Sequence, residues 1–312
     1  MLPAEDKPED LLERNIVAVI PAFNEARFIG SIVLETRQYC RLVIVVDDGS
    51  TDGTDRLALM AGADVIRHAH NLGKGAAMNT ALHAASQHHP EAVVMLDADG
   101  QHSPAELARV VQPILQGNAD LVIGSRYLGG RSDTPLHRIY GHRVFNLLTG
   151  MASGISTSDS QSGFRAFSPK ALELMSFHSQ GFSVESEMQF LISEHGLRMV
   201  EVPVTIKYPD RPKRNVVLHG MNVLNGLLRL VGQYRPLLFF GLTGGLLLLV
   251  GLALGGYVVN IYSRTQTLAV GYAMISVLLT ILGSLLVVTG FILHSIRELL
   301  MDFNRQDHEL KK

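Results

Sequence analysis

The sequence has little cysteine, no tryptophan and no excess of charge of either sign. Cys40 is the only cysteine among 312 residues, which excludes an internal disulfide, and we assign it no functional role. Lysine and arginine number 27 against 29 aspartates and glutamates, so no basic surface for nucleic acid is indicated. Residues 1–14 are polar and rather acidic, without the basic-then-apolar layout of a signal peptide.

Apolar runs that are typical of buried strands alternate with stretches of helical periodicity through the first two thirds of the chain. This alternation predicts an α/β fold with a mostly parallel sheet and helices on both faces. A less regular segment follows, with a return to the sheet at 163–167 and, at 200–208, a strand pair or an extended edge broken by Pro203. We predict strands at 16–20, 42–46, 63–66, 92–96 and 121–123, and helices at 28–38, 51–61, 75–86, 104–115 and 184–194.

Two common phosphate-binding motifs are missing from this predicted sheet. No Gly-x-Gly-x-x-Gly follows the first strand, and no Walker-type Gly-Lys-Ser/Thr occurs, which argues against a dinucleotide oxidoreductase and a P-loop nucleotidase. Polar clusters instead follow three strands, at residues 21–25, 47–52 and 97–99. In a doubly wound sheet such strand ends converge on one crevice.

The sequence Asp97-Ala98-Asp99 follows the apolar residues 93–96 directly. Buried unpaired carboxylates are costly, whereas a hard divalent ion favours oxygen ligands and also accepts phosphate oxygens from a substrate. Gln101 and His102 come next and could complete such a site. The alternative is an exposed turn that caps the following helix. A crevice of carboxylates repels bare phosphate, but it can accept a nucleotide diphosphate through a bridging metal.

The character of the chain changes after Asp210, because no acidic residue follows until Glu298. Residues 237–261 and 268–293 contain no charged residue. Each run exceeds the roughly 20 residues that span a bilayer. Before them lies an amphipathic stretch, which either packs on the domain or lies on a membrane surface. We divide the chain into a tail (1–14), a catalytic domain (15–210), a juxtamembrane helix (211–235), a transmembrane hairpin (236–294) and a second tail (295–312).

Basic residues flank both spans, whereas the loop between them carries only Arg264. The positive-inside rule therefore predicts that both ends of the hairpin, and the catalytic domain, are cytoplasmic, at the cell membrane or an endoplasmic-reticulum-type membrane. Glycines at 241, 245, 251 and 255 give two small-xxx-small spacings in the first span. These favour helix packing, either within the hairpin or between two copies in a homo-oligomer.

Five motifs occur in an order that closely resembles the family-2 inverting glycosyltransferases with the GT-A fold. The likeness covers roughly residues 15–208 and is strongest to the dolichol-phosphate mannose synthase and polyprenyl-phosphate glycosyltransferase branch. The membrane hairpin also resembles the C-terminal anchor of several members. The motifs are Pro-Ala-Phe-Asn-Glu (21–25), Asp-Asp-Gly-Ser-Thr-Asp-Gly-Thr (47–54), Asn-Leu-Gly-Lys-Gly (71–75), Asp-Ala-Asp-Gly-Gln-His (97–102) and Gly-Ser-Arg-Tyr (124–127).

On the donor side, the resemblance implies a nucleotide-sugar site and an Asp-x-Asp-x-Gln metal site for Mg²⁺ or Mn²⁺. Asp99 would be the catalytic metal ligand, with Asp97 leaning toward the ribose. Lys74 would lie near the donor, although a solvated lysine at a helix start is the alternative. The implied metal ligands are Asp97, Asp99 and Gln101, and the implied nucleotide-sugar residues are Pro21, Ala22, Asn24, Glu25, Asp47, Asp48, Lys74, Asp97 and Ala98.

On the acceptor side, the resemblance implies that arginines bind the phosphate of a polyprenyl lipid. Arg126 and Arg143 hold the matching positions, and Arg165 ends the Asp159–Arg165 segment that would line this side, with Asp159 as a catalytic residue. Glu185 and Glu187 fall near the same cleft, and one of them could instead be structural, as a cap or as a partner of Arg165 or Arg198. The sequence departs from the mannosyl branch at residues 211–215, where the run that forms a mobile lid lacks its glycine and serine.

The resemblance implies transfer of a hexose from a nucleotide diphosphate sugar, of the GDP-mannose or UDP-glucose type, to a polyprenyl or dolichyl phosphate with inversion. Transfer to another lipid or to a polysaccharide is the alternative enzyme function. The absence of tryptophan counts against a processive synthase, which normally carries a Gln-x-x-Arg-Trp segment. A catalytically inert nucleotide-sugar-binding membrane protein is the alternative from another class.

The distribution of basic residues predicts that residues 260–267 face away from the cytoplasm. In a Cys40→Ser background, a cysteine replacing Ser263 should therefore react with a membrane-impermeant thiol reagent in intact cells. A cysteine replacing Asn304 should react only after the membrane is opened. The reverse labelling pattern would contradict the cytoplasmic placement of the catalytic domain.

Overall fold

The chain divides into two compact units, Met1–Leu227 and Leu228–Lys312. The amphipathic helix expected at 211–235 lies mostly outside the residues that the structure describes. The structure, a computed structural model, describes residues 11–129, 146–147, 149–177, 184–206, 225, 228–229, 231–232 and 234–310, with the backbone alone for 301–310.

A mixed sheet forms the centre of the first unit, and seven of its strands lie in the described part of the chain. Their spatial order is β3-β2-β1-β4-β6-β5-β7. All neighbours pair in parallel except β6, which is antiparallel to both β4 and β5. The mostly parallel α/β sheet predicted from the sequence is thus confirmed. The strands are β1 (Ile16–Ala22), β2 (Leu42–Asp47), β3 (Asp64–Arg67), β4 (Ala92–Met95), β5 (Leu121–Ser125), β6 (Arg165–Phe167) and β7 (Met199–Pro203).

Helices cover both faces of the sheet, so the central strands read as continuous apolar runs. In β1, the side chains of Ile16, Ala18 and Ile20 join a core under α1, α2 and α4, while Val17 and Val19 join a second core under α3, α5 and α6. Successive residues of a strand point to opposite faces, which divides the run between the two cores. The helices are α1 (Ile29–Thr36), α2 (Thr54–Met60), α3 (Lys74–Ser86), α4 (Leu107–Leu115, after a 3-10 turn Pro104–Glu106), α5 (Pro169–Leu174) and α6 (Val184–His195).

The last strand is shorter than the extended edge expected at 200–208. Strand β7 pairs only with β5 among the described strands and ends at Pro203, which lies opposite Ser125. Proline is tolerated there because an edge strand leaves one row of its N–H groups without a partner strand. The position of β7 matters for the site, since it lies beside the carboxyl end of β5.

The second unit contains two long apolar helices that form a hairpin, as predicted. A π-helical turn (Leu237–Gly241) leads into α7 (Leu242–Thr265), and α8 spans Val270–Leu310. Both are long and apolar enough to cross a membrane, with only 11% and 17% of their most apolar windows buried, unlike a core helix. The 41 residues of α8 extend roughly 60 Å, about twice the hydrocarbon thickness, so the expected tail at 295–312 largely continues the helix.

Small residues bring the two helices of the hairpin into close contact. A Cβ atom placed on Gly251 would lie 2.6 Å from the Thr280 hydroxyl, and one on Gly255 would lie 2.9 Å from the Ser276 hydroxyl. The Ser276 hydroxyl also donates a hydrogen bond to the Gly251 carbonyl at 2.8 Å. Gly245, by contrast, has nothing within 4 Å of its Cβ position. The second small-residue pair therefore packs within the hairpin, where close backbone approach favours helix association.

We expect Gly251→Leu to separate the hairpin and Gly245→Leu, its matched control, to leave it intact, because only the first side chain would overlap the facing helix. Such overpacking typically costs about 1–3 kcal/mol. The measurement is cross-linking by a short bis-maleimide between cysteines that replace Tyr257 and Tyr272, whose rings contact each other across the hairpin, in a Cys40→Ser background. Equal cross-linking in both variants would contradict the packing described.

Candidate active site

Three parallel strands place their carboxyl ends side by side at one edge of the sheet. Ala22, at the end of β1, pairs with Asp47, at the end of β2, and β4 runs parallel on the other side of β1. Asp97 and Asp99 follow β4 within four residues of its last residue. The carboxyl end of such a sheet is the usual binding crevice. The donor-side residues predicted from the sequence are therefore brought together.

The loops after β1 and β2 are joined by hydrogen bonds between backbone and side chains. Asn24 N–H donates to the Ser50 hydroxyl at 2.9 Å, and Thr51 N–H donates to Asn24 Oδ1 at 3.0 Å. Glu25 N–H donates to the Thr54 hydroxyl at 2.9 Å. Asn24 adopts a left-handed conformation with φ of 55°, which asparagine tolerates better than most residues. These bonds fix the two loops to each other.

The carboxylates of Asp47 and Asp48 are buried and bond within the protein. Asp48 accepts hydrogen bonds from Leu72 N–H at 2.9 Å and Gly73 N–H at 2.8 Å. Asp47 Oδ1 accepts from Ser50 N–H at 3.2 Å. Asp48 therefore holds the loop that leads into α3, in addition to any contact with a nucleotide. Proximity in the chain does not reveal this role, because the donors lie more than twenty residues away.

Lys74, the first residue of α3, joins two carboxylates from distant parts of the chain. Its Nζ lies 2.9 Å from Asp97 Oδ1 and 2.7 Å from Glu185 Oε1. Burial opposes the charge on Lys74, but the two carboxylates outweigh it and raise the pKa of the ammonium group. Lys74 is therefore not a solvated lysine, and Glu185 is its second partner. Within the described residues, Glu185 Oε2 is buried without a hydrogen-bond partner.

The two aspartates of the Asp-x-Asp motif have opposite electrostatic surroundings. Burial disfavours the charge on Asp97, yet Lys74 and His102 hold its pKa below the usual value. Burial, followed by repulsion from Asp97, raises the pKa of Asp99 to about 6. Burial lowers the pKa of His102 to about 4, against the opposing effect of Asp97. A cation beside Asp99 would relieve this repulsion.

These residues fit a divalent ion whose remaining ligands come from a bound substrate and water. Asp99 Oδ1 accepts from Gln101 N–H at 3.0 Å, which folds the motif back on itself. Within the described residues, no group of three or more His, Cys, Asp or Glu side chains could enclose a metal ion. Mg²⁺ commonly binds through one or two carboxylates together with substrate phosphates and water. The donor set therefore suits a metal that arrives with a nucleotide diphosphate better than a permanently enclosed ion.

Close approach of two loops requires a glycine behind Asp97. A methyl group on Gly163 would overlap both carboxylate oxygens of Asp97. Arg165, two residues on, is 1% exposed and donates to the carbonyls of Ser160 and Ser162 at 2.8 Å each, with a further contact to the Met188 sulfur. In this structure the Arg165 guanidinium supports the 160–163 turn, and its role toward an acceptor phosphate stays a prediction. The local sequence carries no sign of this burial.

Arg126 stands at the carboxyl end of β5 and is tied to Asp159. Its Nε donates to Asp159 Oδ2 at 2.6 Å, and its backbone N–H donates to the same oxygen at 3.1 Å. Asp159 is 1% exposed, and its Oδ1 has no hydrogen-bond partner among the described atoms. Arg143, the second predicted acceptor residue, lies outside the described residues.

Sequence reasoning missed Glu201, which accepts hydrogen bonds from the 158–159 turn that carries Asp159. A weak signal was available. Glu201 is the one charged residue in the short strand β7, Met-Val-Glu-Val-Pro, and a carboxylate inside a strand calls for a partner.

The fold is that of GT-A glycosyltransferases. Glucosyl-3-phosphoglycerate synthase from Mycobacterium tuberculosis, solved in complex with Mn²⁺, uridine diphosphate and glucosyl-3-phosphoglycerate, superposes with a TM-score of 0.59. The similarity covers 74% of this chain and 86% of that chain at 23% identity, which is a likeness of fold.

Residues 17–175 match glycosyl transferase family 2, and the chain belongs to this family of glycosyltransferase enzymes. A UDP-N-acetylglucosamine–dolichyl-phosphate N-acetylglucosaminyltransferase from Methanococcus voltae is 30% identical over 69% of this chain and 93% of its own length. A polyprenol monophosphomannose synthase from Mycolicibacterium smegmatis is 30% identical over 70% of this chain and 85% of its own length. The family predicted from the five motifs is thus confirmed.

We expect Gly163→Ala to lower turnover about a hundredfold and to weaken the apparent affinity for Mn²⁺, because displacing Asp97 by about 1 Å disturbs the reacting geometry. Gly30→Ala is the control, since its Cβ would have nothing within 4 Å. Turnover is measured against Mn²⁺ concentration, with thermal unfolding to confirm the fold. Parent-like activity of Gly163→Ala would show that the close seat of Asp97 is not needed.

Proposed function

We propose that this enzyme transfers a hexose from a nucleotide diphosphate sugar to a polyprenyl phosphate at a membrane, with inversion of the anomeric centre. One observation carries the proposal: the carboxylate pair after β4 and the guanidinium after β5 lie at strand ends of a single sheet. Such an arrangement suits a reaction that must bring a metal-bound diphosphate and a second anion together. The named relatives, which act on dolichyl or polyprenyl lipids, support the same class of acceptor.

On the donor side, Asp99, Asp97 and Gln101 would hold Mg²⁺ or Mn²⁺ and orient the diphosphate. When bound, such an ion stabilises the leaving diphosphate as a Lewis acid. Solved relatives of the same fold contain uridine diphosphate with Mn²⁺ or with Mg²⁺, which supports this assignment. Lys74 keeps Asp97 ionised and correctly placed beside the ribose. The loops at 21–25 and 47–54 would enclose the base and ribose.

On the acceptor side, the attacking group is a phosphate oxygen that is already anionic at neutral pH. A strong general base is therefore not required. The chemical problem is instead repulsion between two anions. Arg126, oriented by Asp159, would offset the acceptor charge with the bidentate geometry that suits phosphate. Arg143 is the second candidate for this role.

The apolar hairpin would anchor the enzyme in the membrane that contains the acceptor lipid. We propose that both ends of the hairpin are cytoplasmic, as the basic flanking residues indicate. Confinement to the same surface raises the effective concentration of the acceptor without any new contact. The relatives use different sugars, N-acetylglucosamine in one case and mannose in the other, so the hexose is left general.

We expect Arg126→Ala to raise the apparent KM for a polyprenyl phosphate roughly ten- to a hundredfold, since a lost charged hydrogen bond costs about 1.5–3 kcal/mol. Donor affinity should change little, because the nucleotide binds on the Asp99 side. Arg126→Lys should rescue only partly, since lysine lacks the planar fork. The assay follows radiolabelled sugar into extractable lipid, beside nucleotide-sugar binding to the same variants.

The lysine variant also keeps a positive charge beside buried Asp159, which guards against simple unfolding. Equal loss of donor and acceptor affinity would mean that Arg126 serves the donor diphosphate or the fold. Unchanged affinity for both would remove Arg126 from the acceptor site. Failure to label any polyprenyl lipid while another acceptor is labelled would contradict the proposed substrate class.

A further inference from the structure

We propose that Glu201 is the positioning residue for Arg126: it holds the turn whose aspartate orients the guanidinium. The inference rests on the proposed role of Arg126 in binding the acceptor phosphate. Glu201 need not touch substrate, so it is not a catalytic residue. It would act through two groups of hydrogen bonds, one to Arg126 itself and one to the residues before and after Arg126 in the chain.

The first step is the contact between Glu201 and the 158–159 turn. Glu201 Oε1 accepts from Ser158 N–H at 2.9 Å, from the Ser158 hydroxyl at 3.0 Å and from Asp159 N–H at 3.3 Å. Glu201 Oε2 accepts from Ser158 N–H at 3.0 Å. Two backbone donors and a hydroxyl thus converge on one carboxylate. Hydrogen bonds to an ionised acceptor are roughly twice as strong as neutral ones, so this is a firm attachment.

The second step leads from the turn to Arg126. Asp159 uses a single oxygen, Oδ2, to accept from both the Nε and the backbone N–H of Arg126. A shift of the Asp159 backbone would therefore move the start of the segment after β5 and the guanidinium together. Since Asp159 is almost fully buried, it cannot exchange these bonds for water. The position of Arg126 thus depends on that of the turn.

A second connection reaches the other side of Arg126. The hydroxyls of Ser158 and Ser125 lie 2.6 Å apart, and Tyr127 N–H donates to the Ser125 hydroxyl at 3.2 Å. Ser125 and Tyr127 flank Arg126 in the chain. The bonds that start at Glu201 therefore hold the residues before and after Arg126 as well as its side chain.

The sheet explains why Glu201 can take this role. Strands β5 and β7 are parallel neighbours, with Ile123 opposite Glu201. The Glu201 side chain thus originates beside β5 and reaches the turn that crosses its carboxyl end. On the opposite side of the turn, the Asn146 amide donates to the Ser158 carbonyl at 2.6 Å and accepts from Ser160 N–H at 3.2 Å. The Asn146 amide and the Glu201 carboxylate thus both hold the turn by hydrogen bonds.

Glu106 provides a matched control for the loss of a carboxylate. Its Oε2 accepts from Thr205 N–H at 2.8 Å, and its Oε1 accepts from the Thr205 hydroxyl at 3.1 Å. Like Glu201, it binds a backbone N–H and a hydroxyl through a carboxylate, and it holds the chain just beyond β7. Neither of these two hydrogen bonds involves the 158–159 turn or the Arg126 side chain. If Glu201 had only a structural role, Glu201→Ala and Glu106→Ala should have the same effect on acceptor KM.

The experiment compares Glu201→Ala, Glu201→Gln, Glu106→Ala, Arg126→Ala and the Glu201→Ala/Arg126→Ala double variant, all as full-length protein in detergent. Acceptor KM is measured with a polyprenyl phosphate and donor KM with the nucleotide sugar that is turned over. We expect Glu201→Ala to raise acceptor KM about tenfold, the size of one lost charged hydrogen bond. Donor KM should stay within about twofold of the parent by the same argument. Glu201→Gln retains a carbonyl oxygen and should show a smaller rise.

The double variant supplies the decisive readout. If Glu201 acts through Arg126, its removal should raise acceptor KM no further once Arg126 is absent. Glu106→Ala should leave both KM values unchanged. An additive effect in the double variant, an equal rise in donor KM, or a loss of thermal stability alone would overturn the role of Glu201. An effect of Arg126→Ala without one of Glu201→Ala would do the same.

No effect of Arg126→Ala on acceptor KM would instead overturn the proposed phosphate role of Arg126, and the role of Glu201 with it. The two failures are therefore distinguishable from one set of kinetic curves. The glutamine variant keeps the comparison valid if Glu201→Ala does not fold.

Discussion

The arrangement of residues at the carboxyl end of β4 depends on how the negative charge of Asp97 is stabilised. Lys74, 2.9 Å from the partly buried Asp97, favours the ionised form of that carboxyl group, and Lys74 is itself held by Glu185 at 2.7 Å. This chain of charges ties the start of α3 and the start of α6 to the strand end. Gly163 leaves the space that the Asp97 carboxylate occupies. The position of the nearby loops follows from the need to pair a partly buried carboxylate.

The same constraint gives neighbouring aspartates different properties. Asp97 is compensated within the protein, whereas Asp99 is partly buried beside another negative charge and has a pKa raised to about 6. The two carboxyl groups are chemically identical, so only their surroundings make their pKa values differ. In a family 2 glycosyltransferase, this division suits one residue that shapes the site and one that meets a cation. Across the sheet, Asp159 and Arg126 repeat the pattern with the signs reversed, since there a buried carboxylate fixes an arginine.

Helix packing in the second unit relies on shape rather than charge. Gly251 and Gly255 allow the backbone of α7 to approach Ser276 and Thr280 of α8, and one hydroxyl reaches a carbonyl of the facing helix. In an apolar solvent, close packing and interhelical hydrogen bonds replace the hydrophobic effect as the driving force. Both units thus use glycine where two backbones, or a backbone and a carboxylate, must come unusually close.

Local pattern determined the α/β alternation, the two apolar spans, the family and the strand-end location of the site, because periodicity and short motifs are properties of neighbouring residues. It also placed Asp97 and Asp99 at a strand end. Tertiary structure alone decided that Lys74 is paired, that Arg165 is buried beneath its turn and that Glu201 reaches Asp159. Each of these depends on partners distant in sequence, whose meeting is set by strand order, and no local pattern encodes that order.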